Sequence, residues 1–126
     1  LKDTDEYNPD TWTSKSDMPL PGRYSLAAST ILSKGYVYGG NYGGGLQDTD
    51  EYNPDTWTSK SDMPLPGRYE LAASTILSKG YVYGGSDYGG SVGGVLKDTD
   101  EYNPDTWTSK SDMPLPARKD LAASTI

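Results

Sequence analysis

The chain has 126 residues, a net charge of −7, and neither Cys, His nor Phe. A nucleic-acid binder needs a basic face, which this balance does not supply, and anionic membrane surfaces are disfavoured for the same reason. No apolar run approaches the roughly 20 residues of a membrane span, and no signal-peptide pattern is present. Disulfides, thiolate nucleophiles and Cys-zinc sites are excluded, as is the commonest general base and metal ligand. Hydrophobic residues make up only 33%, so eleven Tyr and three Trp must supply much of the core volume.

The first segment is also the most informative. The stretch from Asp3 to Pro21 recurs unchanged from Asp48 to Pro66 and from Asp98 to Pro116, at offsets of 45 and then 50 residues. A period of this length means stacked supersecondary units. A unit of this kind buries its apolar face only against its neighbours. Leu1 and Ile126 both fall partway through a repeat, so the chain reads as an excerpt, a processed piece or an engineered stretch.

The unit from Arg23 to Pro66 shows the pattern in full. Leu26 to Leu32, small and β-branched, predicts a strand hemmed in by neighbours. Ser33-Lys34-Gly35 predicts a tight hairpin turn with Gly in the left-handed position. Tyr36-Val37-Tyr38 alternates as a two-faced strand should, and Gly39-Gly40 ends it. After the Gly-rich loop 41–45, Leu46 to Tyr52 predicts a third strand. Asn53-Pro54-Asp55 is a turn, and Thr56 to Lys60 a fourth strand rich in β-formers. Met63-Pro-Leu-Pro66 lacks the donors of a regular strand and serves as the connector.

Four short strands in about 45 residues indicate an all-β propeller blade. These residues resemble the kelch repeat. The resemblance rests on the Gly pair after Tyr-Val-Tyr (Gly39 and Gly40, Gly84 and Gly85) and on a Tyr followed by a Trp across a turn. Those pairs are Tyr7 and Trp12, Tyr52 and Trp57, and Tyr102 and Trp107. The connector Met-Pro-x-Pro-x-Arg, ending at Arg23, Arg68 and Arg118, completes it. The Tyr-to-Trp turn is about two residues shorter than is usual in kelch. With strands lettered A to D from the axis outwards, as the resemblance implies, residues 1–21 form an outer C–D pair and 22–66 a whole blade. Residues 67–116 form a second blade, and 117–126 an inner strand A of a further one. The ends supply A, C and D but no B. An incomplete ring, a ring completed by other copies and an open stack all remain open.

The copies differ in two places: after the connector (Tyr24 and Ser25; Tyr69 and Glu70; Lys119 and Asp120) and in the B–C loop (Asn41 and Tyr42 against Asp87 and Tyr88). Up-and-down strand order puts both at one end of every blade. One reading is a binding face, since Tyr with Gly and Ser makes adaptable recognition loops; the other is drift in unconstrained loops after duplication. The three Arg side chains suit carboxylate capture, as in sialidase-type propellers. Kelch resemblance implies instead a structural role, bonding blade to blade. Asp3, Asp5, Asn8 and Asp10 offer oxygens to calcium but lack the EF-hand pattern, and are expected to be solvated turn and edge acids. Asp10-Thr11-Trp12 hints at an Asp-box, with Tyr7 where its Asp belongs. The repeated Tyr and Trp make a sugar platform if exposed and inter-blade packing if not; their strict repetition favours packing.

The expected function is a non-catalytic binding or scaffold module without cofactor. Kelch resemblance implies protein partners first and glycans second, although fold does not fix function. The alternative is a structural repeat unit, natural or designed, that self-assembles into a ring or array. Copper chemistry of the kind some kelch-fold enzymes perform needs His and a Cys-linked Tyr, which this chain lacks; a carboxylate-pair hydrolase has no arguable pair, Glu70 and Asp120 merely sharing the loop face. The acidic, Cys-free composition is compatible with an extracellular setting without demanding it.

Overall fold

The computed structural model describes residues 1–88 and 94–126. They form ten antiparallel strands and no helix: β1 (Thr4–Asn8), β2 (Thr11–Lys15), β3 (Ala27–Ile31), β4 (Lys34–Tyr38), β5 (Thr49–Asn53), β6 (Thr56–Ser59), β7 (Ala72–Ile76), β8 (Lys79–Tyr83), β9 (Thr99–Asn103) and β10 (Thr106–Ser109). There being no helix, none is long and apolar enough to cross a membrane. Two four-stranded sheets run β3-β4-β5-β6 and β7-β8-β9-β10, and β1-β2 is a separate pair. The sheets are propeller-like blades, and no closed ring forms among the described residues.

Register follows the repeats. Ala27 pairs with Tyr38 and Ala72 with Tyr83, while Tyr52 faces Trp57 and Tyr102 faces Trp107 across their hairpins. The A–B hairpin differs from the sequence expectation. Ile31 pairs with Lys34, so the turn is Leu32-Ser33, and Leu32 rather than Gly35 takes the positive φ (56°). Leu77 repeats this. Two-residue hairpins demand positive φ at the turn itself to match strand twist, and Gly35 is already inside β4. Its counterpart Gly80 is needed for packing: a Cβ there would collide with the hydroxyl of Tyr38 from the preceding blade. The third strand starts later than expected, at Thr49, and the fourth stops at Ser59.

The core lies between the two complete blades. Ile31, Tyr36, Tyr38 and Met63 of the first meet Leu71, Val82 and Tyr102 of the second, with Trp107 against them. Tyr38 stands edge-on to Tyr102 and Trp107, at centroid distances of 6.1 and 5.6 Å. Residues 117–126, expected as an inner strand, join no sheet. Residues 121–126 lie beside β7, where Thr125 and Thr75 exchange hydrogen bonds. An inner strand needs the next strand of its own blade to pair with, and none stands there.

Candidate functional site

The two variable segments of each complete blade meet. In the first, Tyr24 and Asn41 exchange backbone hydrogen bonds of 3.3 and 2.8 Å; in the second, Tyr69 and Ser86 do so at 3.0 and 2.8 Å. The D–A connector and the B–C loop are thereby stitched into one end surface. Successive connectors are joined too. The Glu70 amide donates to the Ser25 carbonyl and the Asp120 amide to the Glu70 carbonyl, each at 2.9 Å. Ser25, Glu70 and Asp120, the positions that change from copy to copy, thus run in line across three repeats.

The exposed rings on this surface are Tyr24, Tyr42 and Tyr88, at 63, 66 and 53%; Ser25 and Asp120 are exposed beside them, and Tyr69 and Glu70 are half-buried. Lys119 links two parts of it: its ammonium lies 2.7 Å from a Glu70 carboxylate oxygen and 5.8 Å from the Tyr88 ring centroid. The hydrogen bond to Glu70 raises the Lys119 pKa above its ordinary value and keeps the ammonium charged. Not every expected residue points outward. Asp87 is fully buried and its carboxylate accepts the Gly94 amide at 2.8 Å, so it shapes the loop from inside. Asn41 is half-buried and does the same for Gly44 at 3.0 Å. Short acids and amides bond nearby amides in turns, which composition alone does not separate from surface display. Of the second B–C loop, residues 89–93 lie outside the described ones.

The repeated scaffold beneath this face has its own chemistry. Arg23 and Arg68 are almost fully buried and pair with Asp50 and Asp100, also buried. The guanidinium reaches strand C of its own blade, whereas the expectation was a side-chain link between blades. The backbone makes that link instead: the Arg68 amide donates to Leu46 and its carbonyl accepts from Gly40, both at 2.9 Å. Gly39 and Gly84 (φ 59° and 56°) allow this approach, since a Cβ would strike the carbonyl of Arg68 or Arg118. Arg118 itself is exposed, and donates to the Pro114 carbonyl at 3.1 Å.

On the outer rim a contact missed by sequence reading recurs. The Ser61 amide donates to the Asp105 carboxylate at 2.8 Å, and the Trp107 indole N–H to the Ser61 carbonyl at 2.9 Å. Ser16, Asp55 and Trp57 repeat it at the same two distances. The fixed spacing of Ser and Asp in every copy was the available signal. The Ser amides hold Asp55 and Asp105 below the ordinary carboxylate range.

Among the described residues no group of three or more His, Cys, Asp or Glu gathers to hold a metal. A cavity near 450 Å³ opens between the blades beside Lys34, Tyr36, Glu51 and Asp105. Burial opposes ionisation of Glu51, but the Tyr36 hydroxyl at 2.7 Å, Lys34 and Lys60 outweigh it and lower its pKa. A carboxylate so held is a poor proton acceptor near neutral pH. No protein-family model and no curated protein matches the chain.

Proposed function

We propose that the chain is a non-catalytic binding and scaffold module, built of kelch-like blades, that engages a protein partner through the D–A and B–C loop face. One observation carries the reading. The segments that differ between otherwise repeated units are hydrogen-bonded into one surface, which displays Tyr24, Tyr42 and Tyr88 on a rigid sheet scaffold. Tyrosine offers large contact area at low entropic cost, and loops fixed on a scaffold are the usual carriers of recognition. With Glu70 paired to Lys119, the exposed carboxylate of Asp120 favours a partner with a basic side chain beside an apolar patch. Glycans are the second class, since exposed rings also stack on sugars.

The test is a selection from a random-peptide display library on the immobilised chain. Enriched peptides are then titrated against the chain and against the triple variant Tyr24→Ser, Tyr42→Ser, Tyr88→Ser. At least tenfold weaker binding to the variant is expected. Peptides that bind both equally overturn the assignment of the face. Binding to a glycan array alone, abolished in the same variant, would replace the protein partner by a sugar.

A further inference from the structure

The junction between blades is assembled from matched parts, and each part occurs once more, unmatched, on an opposite outer edge. Ser61 binds Asp105 and Trp107 of the next blade; on one edge Ser111 stands exposed, and on the other Asp10 and Trp12 do, with Trp12 70% exposed. Tyr38 packs on Tyr102 and Trp107; among the described residues its counterpart Tyr83 has no such rings against it, while Tyr7 and Trp12 lie together at 4.9 Å with no third ring beside them. A further matched pair lies inside each complete blade, where Arg23 meets Asp50 and Arg68 meets Asp100; among the described residues Arg118 has no carboxylate, and Asp5, the copy of Asp50 and Asp100, is exposed without an ion pair. Shape, hydrogen bonding and charge thus complement one another between the two edges, in the pattern already realised inside the chain.

We propose that two copies of this chain associate head to tail, the edge with Tyr83, Ser111 and Arg118 of each meeting the edge with Asp5, Tyr7, Asp10 and Trp12 of the other. The contacts run between outer rims, connector and facing rings; none passes through the place of a second strand in the shared blade. Stoichiometry follows from counting. Each chain brings two complete sheets, the pair β1-β2, and a segment at 121–126 that together with a partner's pair makes one more position. Propellers have typically 4–8 blades. With three positions per chain, six is the sole multiple in that range, so two copies close the ring, each junction repeating the same heterologous contact. Arg118 borders the loop face through its neighbours Lys119 and Asp120, but Tyr24, Tyr42 and Tyr88 take no part in the contact.

The experiment is solution mass by sedimentation and light scattering at about 100 μM, a concentration at which interfaces of micromolar affinity are occupied. Twice the chain mass of 13.6 kDa is expected. The variants Asp5→Arg and Arg118→Asp each set like charges together and should weaken association at least tenfold. Both changes in one chain should restore it, because opposite charges then face each other again, with their places exchanged. Both positions are exposed, so far-UV circular dichroism should stay that of the parent. Tyr24→Ser with Tyr42→Ser should leave the mass unchanged. A single-chain mass for the parent overturns the proposal, as does a larger closed multiple. Failure of the double charge reversal to rescue, or dissociation by the loop variant instead, moves the contact elsewhere and overturns it equally, without touching the loop-face reading.

Discussion

The same nineteen residues stand at 3–21 and at 98–116, and meet different surroundings. Tyr7 and Trp12 are 54 and 70% exposed; Tyr102 is fully buried and Trp107 partly so. Tyr52 and Trp57, with only the pair β1-β2 beside them, are intermediate. Local structure is nonetheless the same: each copy makes an antiparallel hairpin with Tyr opposite Trp. The hairpin is thus encoded locally, and its burial is conferred by the preceding blade. The physical reason is that a single sheet has two faces and cannot cover either by itself.

Removing a buried carboxylate should separate these regions most. Asp100→Ala leaves the Arg68 guanidinium buried without its counter-charge, a loss of about 3–5 kcal/mol. Asp5→Ala should change the stability of the single chain by less than about 0.5 kcal/mol, the usual limit for surface positions. Urea denaturation in dilute solution measures both, and similar losses would mean that the copies are not so different.

Glycine at one repeat position should give opposite outcomes. Gly80→Ala drives a methyl into the Tyr38 hydroxyl and should cost about 1–3 kcal/mol. Gly35→Ala meets only Tyr52, its Cβ at 3.7 Å and its carbonyl oxygen at 4.0 Å, both ordinary contacts, and should be neutral or stabilising by about 0.5 kcal/mol. An equal cost at both sites would show that glycine serves the strand rather than the junction.

The pH dependence should follow the junction as well. Glu51, Glu101, Asp55 and Asp105 have lowered pKa values in the fold, so their contribution is present above the ordinary range, near 4, and is lost as pH falls through the folded values. Asp48, raised by burial, acts in the opposite sense and offsets part of this. The urea midpoint should fall below about pH 4; a midpoint rising from pH 5 to 3 would contradict it. At the alkaline end burial pushes Tyr38 up to about 12, and the Glu101 hydrogen bond does the same for Tyr81. The unfolded chain ionises these groups first, near 10. Stability should therefore decline from there upward, with a late, cooperative phase in tyrosinate absorbance.

The smallest effect is spectroscopic. With two of the three Trp changed to Phe in turn, emission of Trp12 should be reddest and most open to iodide quenching, that of Trp107 bluest, and that of Trp57 between them. Three identical spectra would remove the environmental gradient.

Much of this was legible in the residues. Asn53-Pro54-Asp55 and its copies fixed the outer turn, and Tyr-Val-Tyr before the Gly pair fixed the inner hairpin's return strand. The loop face followed from strand order plus the places where copies differ. Leu32 was illegible, because a bulky residue with positive φ runs against propensity and is accepted only where the turn's twist requires it. Asp87 was illegible for a related reason, since an acid folded inward to bond Gly94 has the same letter as one displayed to a partner.

The strands, the outer turns and their repetition were written in the residues alone, because hairpin pairing is short-range and each copy carries all that it needs. It took the packed blades to settle which Tyr is core and which is surface, that Arg68 turns to Asp100 within its own blade, and that Ser61 clasps Asp105 across to the next. Those outcomes depend on what stands against each sheet face, and identical segments hold no record of their neighbours.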